Sequence, residues 1–161
     1  VKVTRAWYRE NVQKLGGSSR GSLIKEGTEN AVQAEVIRWA ADNEHRYPEL
    51  ALLFAIANGG GRTRAQAAEL KLTGVKSGVP DLCLPVARGG YHGLYIEEKR
   101  EPYRDKNNKL CRGTVSPEQK RWIALLREQG YRVELCEGAR PTIALLEGYL
   151  SGKVTQPAAD G

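Results

Sequence analysis

Asp81 and the pair Glu97 and Lys99 are the residues of this sequence whose types and spacing can do chemistry. They lie in two short stretches, Gly78-Val79-Pro80-Asp81-Leu82 and Tyr95-Ile96-Glu97-Glu98-Lys99. Side chains alternate along an extended strand, so Tyr95, Glu97 and Lys99 share one face and Leu94, Ile96 and Glu98 the other. That alternation sets a carboxylate beside an amine. Asp81 opens the preceding strand behind Pro80, which fixes the entering backbone, and a hairpin with a short turn brings Asp81 next to Glu97. Two carboxylates suit a hard divalent cation such as Mg²⁺, which takes oxygen ligands and keeps several waters. A cation held there polarises a phosphate ester and acidifies a bound water. Three roles are open to Lys99: stabilising the charge of a phosphorane, orienting the attacking water, or acting as a base if burial depresses its pKa. Glu and Lys also alternate on many solvent-facing strands, so the pattern alone does not decide.

Around these residues the chain punctuates itself. Residues 29–45 read as a helix behind a cap at Thr28, with Val32, Val36 and Trp39 as its apolar stripe. Leu50 to Ala57 is a continuous apolar run that predicts a short buried strand. Arg64 to Leu72 has the composition of a short helix. Residues 81–86 and 93–100 pair as a hairpin through Gly89 and Gly90. Residues 101–115 are polar and charged, which predicts a flexible loop. Ser116-Pro117-Glu118-Gln119 is a strong helix start, with a cap, Pro at the first position and a Gln that can complete a capping box. Gln119 also shares a face with Trp122, Ile123 and Leu126, so it can point inward. Gly130 stops that helix. Residues 131–136 predict a last strand and 141–150 a last helix, apolar over more than one face through Ile143, Leu145, Leu146, Tyr149 and Leu150. Such a helix is buried on several sides, within one chain or against a partner. The expected architecture is α/β, a mixed sheet flanked by helices. The segment 1–28 reads as a basic arm, 29–150 as the domain and 151–161 as a disordered tail.

The charge pattern favours an anionic partner. The chain has a net charge of +6 over 161 residues, and the basic residues concentrate in the arm and after Lys99, at Arg100, Arg104, Lys106, Lys109 and Arg112. Both segments suit a phosphate backbone. Lys76, in the loop before Asp81, can reach a phosphate as well. Cys83, Cys111 and Cys136 are odd in number and widely spaced, which argues against a disulfide framework or a structural zinc site and for a reducing, cytoplasmic compartment. His45 and His92 do not have ligand spacing. No apolar run approaches the roughly 20 residues a membrane-spanning helix needs, and the N-terminal stretch lacks the apolar centre of a signal peptide.

Taken together, Gly-Val-Pro-Asp at 78–81, Glu-x-Lys at 97–99 and Ser-Pro-x-Gln opening a helix at 116–119 resemble the VRR-NUC domain of the PD-(D/E)xK nuclease superfamily. The resemblance runs from about Glu35 to Leu150, and because it fills most of the chain it is to the stand-alone phage or bacterial type. It implies a restriction-endonuclease-like fold and phosphodiester hydrolysis dependent on Mg²⁺ or Mn²⁺. It implies Asp81, Glu97 and Lys99 as catalytic residues and the backbone carbonyl of Glu98 as a further metal ligand. Gln119 matches the Gln this family carries at its helix start. Glu35 is nominated as the acid that such nucleases draw from their first helix to the metal. Similarity to dimeric junction resolvases implies a homodimer acting on branched DNA such as a Holliday junction. A catalytically inactive nucleic-acid-binding module and an RNA-directed nuclease are the alternatives; few aromatic residues are present to build an RNA platform.

Overall fold

The computed structural model describes residues 27–57 and 63–153. The expected N-terminal arm, up to residue 26, and the tail from 154 lie outside the described residues. Helix α1 (Glu29–Asn43) starts where Thr28 takes up an extended backbone and its hydroxyl accepts the Ala31 N–H. Val32, Val36 and Ala40 form its buried stripe. A short 3-10 helix (Pro48–Leu52) and the two-residue strand β1 (Phe54–Ala55) follow, then α2 (Arg64–Leu72), β2 (Leu82–Leu84) and β3 (Leu94–Lys99). Strands β4 (Tyr103–Arg104) and β5 (Leu110–Cys111) make a separate hairpin, and α3 (Pro117–Glu128), β6 (Arg132–Glu137) and α4 (Ala139–Leu150) complete the chain.

The main sheet runs β1-β2-β3-β6, with antiparallel pairing up to β3 and parallel pairing of β3 with β6. This is the expected mixed sheet. Alternation along β3 sends Glu97 towards α3, whose Gln119 contacts it, and Glu98 towards α4. Helices therefore cover both faces. Leu82, Leu84, Leu94 and Ile96 pack with Val36, Leu146 and Tyr149 in the core. The Tyr149 hydroxyl ties α4 across the core by donating to the Val86 carbonyl at 2.7 Å.

Three local expectations need correction. Leu50 to Ala57 is not a buried strand. Pro48 starts a tight 3-10 turn instead, and Leu52 and Phe54 are 53% and 48% exposed; an apolar run without periodicity does not say which way its side chains face. Residues 101–115 are not a flexible loop. Asp105 Oδ1 accepts the N–H groups of Asn107 and Lys109, both at 2.9 Å, and Asn108 supplies a left-handed residue at φ 60°, closing the β4–β5 hairpin. Helix α4 begins two residues before the expected 141, behind Gly138. It packs on α1 and β6 of its own chain.

The outer edge of β6 is partly covered. Arg132 and Gly138 N–H groups donate to the Gly93 and Lys99 carbonyls, so even-numbered residues of β6 face β3 and odd-numbered ones face outward. Arg127 reaches from α3 to the outward Val133 carbonyl, at 3.2 Å from Nε and 2.6 Å from Nη2.

Candidate active site

Register brings the two sequence stretches together. Leu82 is opposite Ile96, so one step further along the antiparallel pair places Asp81 opposite Glu97. The Glu98 N–H donates to Asp81 Oδ2 at 2.8 Å, a direct tie between the two halves. The β3 carbonyls that bond β6 at the ends of the ladder are those of Gly93 and Lys99. By alternation the Glu98 amide and carbonyl face the other edge, where Asp81 stands.

Glu97 is fully buried, with 0% exposure, and its Oε1 is heavily used. Lys99 Nζ donates to it at 2.7 Å, and Gln119 Nε2 donates to it as well. Gln119 is held by the capping box of α3: its Oε1 accepts the Ser116 N–H at 2.9 Å, and its own N–H donates to Ser116 Oγ at 3.2 Å. The box leaves the side-chain amino group facing Glu97. Glu97 Oε2 has no hydrogen-bond partner.

Two glycines permit these approaches. A Cβ on Gly78 would lie 2.7 Å from the backbone carbon of Glu118, so the loop before Asp81 and the start of α3 touch only because Gly78 has no side chain. A Cβ on Gly113 would lie 2.7 Å from Cδ of Lys99; Gly113 backs the aliphatic stem of that lysine.

The electrostatics follow from burial. Desolvation raises the Asp81 pKa against the lowering effect of the Glu98 N–H and Lys99. Glu97 is pushed up to about 7, by burial first and by the Asp81 charge, with Lys99 opposing. Burial and then Asp81 push Glu98 up to about 8. Thr142 lies near Glu98 but gives its proton to the Gly138 carbonyl, leaving both Glu98 oxygens without hydrogen bonds. Burial alone would lower the Lys99 pKa, yet its hydrogen bond to Glu97 and the charges of Glu97, Glu29 and Asp81 outweigh that and leave it raised.

Glu29 is the residue that sequence reasoning missed. Its carboxylate lies 3.5 Å from Lys99 Nζ, and it lines an open cleft of about 600 Å³ with Lys99, Arg100, Gly113 and Gln119. The signal was present: Glu29, Val32 and Val36 follow one helical stripe at i, i+3 and i+7. Glu35 is exposed and absent from the Asp81–Glu97–Lys99 cluster. Six residues carry it about 9 Å along α1 and two-thirds of a turn around from Glu29. Among the basic candidates, Lys76, Lys106 and Lys109 are exposed, Arg104 bonds the Asn108 carbonyl of its own hairpin, and Arg112 pairs with Glu137 at 2.6 Å. Arg100 lines the cleft beside Lys99.

The donor set fits a hard cation. Among the described residues no three acids, histidines or cysteines form a ready-made metal cage. One or two carboxylates with waters nevertheless satisfy Mg²⁺-type ions, and an unpartnered buried Glu97 Oε2 beside a carboxylate held by one oxygen is what such an ion would relieve.

The VRR-NUC domain model matches residues 16–140. The chain belongs to the VRR-NUC family. The matched span begins inside the segment that composition alone reads as an arm. A solved structure described as a VRR_NUC domain protein is 30% identical and superposes with a TM-score of 0.57, over 77% of this chain and 88% of that one. No curated protein sequence matches. The family is a nuclease family, and the expected fold is the observed one. Among the described residues no helix is long and apolar enough to cross a membrane.

Proposed function

We propose that this VRR-NUC chain is an endonuclease that hydrolyses DNA phosphodiester bonds with Mg²⁺ or Mn²⁺, using Asp81, Glu97 and Lys99. The observation that carries the reading is the convergence of these three side chains with Gln119 and Glu29 at one end of the sheet. Asp81, Glu97 and the Glu98 carbonyl would hold the ion. It would supply Lewis-acid charge and a more acidic water.

The chain's own residues do the rest. The Glu98 N–H fixes one oxygen of Asp81 and leaves the other free. Gln119 and Lys99 both take Glu97 Oε1, which fixes the carboxylate plane and leaves Oε2 open. Lys99, braced by two carboxylates and by Gly113, holds a positive charge where the phosphate gains negative charge. Glu29 takes the first-helix position that the sequence reading gave to Glu35. Arg100, Lys76 and the hairpin residues Arg104, Lys106, Lys109 and Arg112 bind phosphates, and the nuclease domain spans 29–150. A single site cuts one strand, so a branched substrate such as a four-way junction is cut on two strands by a homodimer.

The test is a gel assay with linear duplex, single-stranded DNA, a four-way junction and RNA, in Mg²⁺, Mn²⁺ or EDTA, with light scattering for the oligomeric state. Metal-dependent cleavage of DNA, fastest on the junction, is expected. Cleavage in EDTA would overturn the metal reading, cleavage of RNA alone the substrate, and a monomer that cuts linear duplex as fast as the junction the branched-DNA reading.

A further inference from the structure

A second cleft, of about 740 Å³, adjoins the catalytic one and shares Gly27, Thr28 and Arg100 with it. Nothing in the proposed hydrolysis uses it. Its lining includes Ala31, Val32 and Ala139 together with Glu35, Glu101 and Tyr103. Its size lies within the range of small-ligand pockets, about 300–1,000 Å³.

We infer that this cleft receives an unpaired nucleobase of the strand whose phosphate lies at Lys99 and Arg100. The inference rests on the nuclease reading above and names the feature of the substrate it selects. Three observations favour a base over another phosphate. First, the walls carry two carboxylates, Glu35 and Glu101; carboxylates repel phosphate and accept hydrogen bonds only, so they suit the N–H groups on a base edge. Second, Tyr103 is 44% exposed and the Arg100 guanidinium lies 4.3 Å from its ring centroid. Such a pair offers a flat surface on which any base can stack. Third, Arg100 borders both clefts, so a backbone phosphate at Arg100 leaves its base to fall on the Tyr103 side. The β4–β5 hairpin holds Tyr103 ready, with its tip closed by Asp105 and with Tyr103 opposite Cys111. A fully paired duplex keeps its bases stacked inside and cannot fill the cleft. A nucleotide freed at a bulge, flap or branch can.

The experiment uses the full chain in EDTA, so that binding is read without cleavage. The probes are a duplex with 2-aminopurine as a one-nucleotide bulge and the same duplex with 2-aminopurine paired. The chain should bind the bulged DNA more tightly and quench its fluorescence. Tyr103→Ala should lower the preference for bulged over paired DNA about tenfold and remove the quenching, whereas Tyr103→Phe should keep both. An unchanged preference in Tyr103→Ala, or a Tyr103→Phe variant that fails like Tyr103→Ala, would overturn the inference. Cleavage in Mg²⁺ is measured in parallel on both duplexes. Quenching without any cleavage refutes the nuclease reading alone; cleavage of both duplexes at equal rates without quenching refutes this one alone.

Discussion

Replacing Gly78 with alanine tests whether the Gly-Val-Pro-Asp loop positions the site by permitting contact. Gly78 has φ 83°, which costs an L-residue on the order of 1–2 kcal/mol. The added methyl would sit 2.7 Å from two Glu118 carbons and 2.9 Å from the Gln119 nitrogen. Carbon atoms pack at about 3.5–4.0 Å, so the first turn of α3 must retreat by on the order of 1 Å. Overpacking of this kind costs a further 1–3 kcal/mol or so. The total expected loss is about 2–5 kcal/mol by urea denaturation. The same retreat shifts and lengthens the contact of Gln119 Nε2 with Glu97, and a misplacement near 1 Å can cost about a hundredfold in rate. Gly74→Ala is the control: its φ is 97°, yet nothing lies within 4 Å of the new methyl, so only the conformational cost applies. Turnover per folded molecule should fall steeply in Gly78→Ala and stay near wild type in Gly74→Ala. In a Gln119→Ala background the Gly78 change should cost little further rate, because both act through one contact. Full turnover by folded Gly78→Ala would refute the reasoning.

Four other outcomes are expected. Asp81→Asn, Glu97→Gln and Lys99→Ala should each abolish cleavage while DNA binding largely survives, since many Lys and Arg residues share the phosphate contacts; a Lys99→Ala enzyme with normal turnover sinks the assignment. Glu29→Ala should lower turnover far more than Glu35→Ala on paired DNA, and equal losses would mean the first helix is wrongly read. Without metal, stability should fall as pH rises: Glu97 and Glu98 have ordinary values of 4.5 and folded values of about 7 and about 8, so the folded chain binds more protons than the unfolded one across that window. Their contribution is fully present below about pH 4.5 and lost towards pH 8; urea midpoints in EDTA read it, and Glu98→Gln should flatten the slope. Changing Arg104, Lys106, Lys109 and Arg112 together to Ala should weaken DNA binding and reduce its salt dependence, and an unaltered salt slope places the DNA path elsewhere.

The parts of the site that were legible in the sequence depend on local rules. Pro80–Asp81, the alternation of Glu97 and Lys99, and the Ser116–Gln119 box each encode their geometry within a few residues, and all three meet in the structure. Glu29 is hard to single out in the sequence because an acid in the first turn of a helix has an ordinary explanation in the helix dipole. The β4–β5 hairpin was hidden because Asp105, Asn107 and Asn108 read as loop composition although they close a specific turn. The parallel pairing of β3 with β6 joins segments separated by a hairpin and a helix, and no local pattern announces such a partner. Leu50 to Ala57 shows the opposite failure, in which apolar composition without periodicity suggested burial that Leu52 and Phe54 do not have.

The guanidinium of Arg127 on the Val133 carbonyl has a consequence for how copies of this chain can meet. An edge strand with free carbonyls and amides invites a second strand to extend the sheet. Here one of the outward rungs of β6 is already occupied by a bulky cation. A continuous sheet through two β6 strands would have to displace Arg127 from the Val133 carbonyl. Sheet extension through this edge is thereby disfavoured by a single side chain.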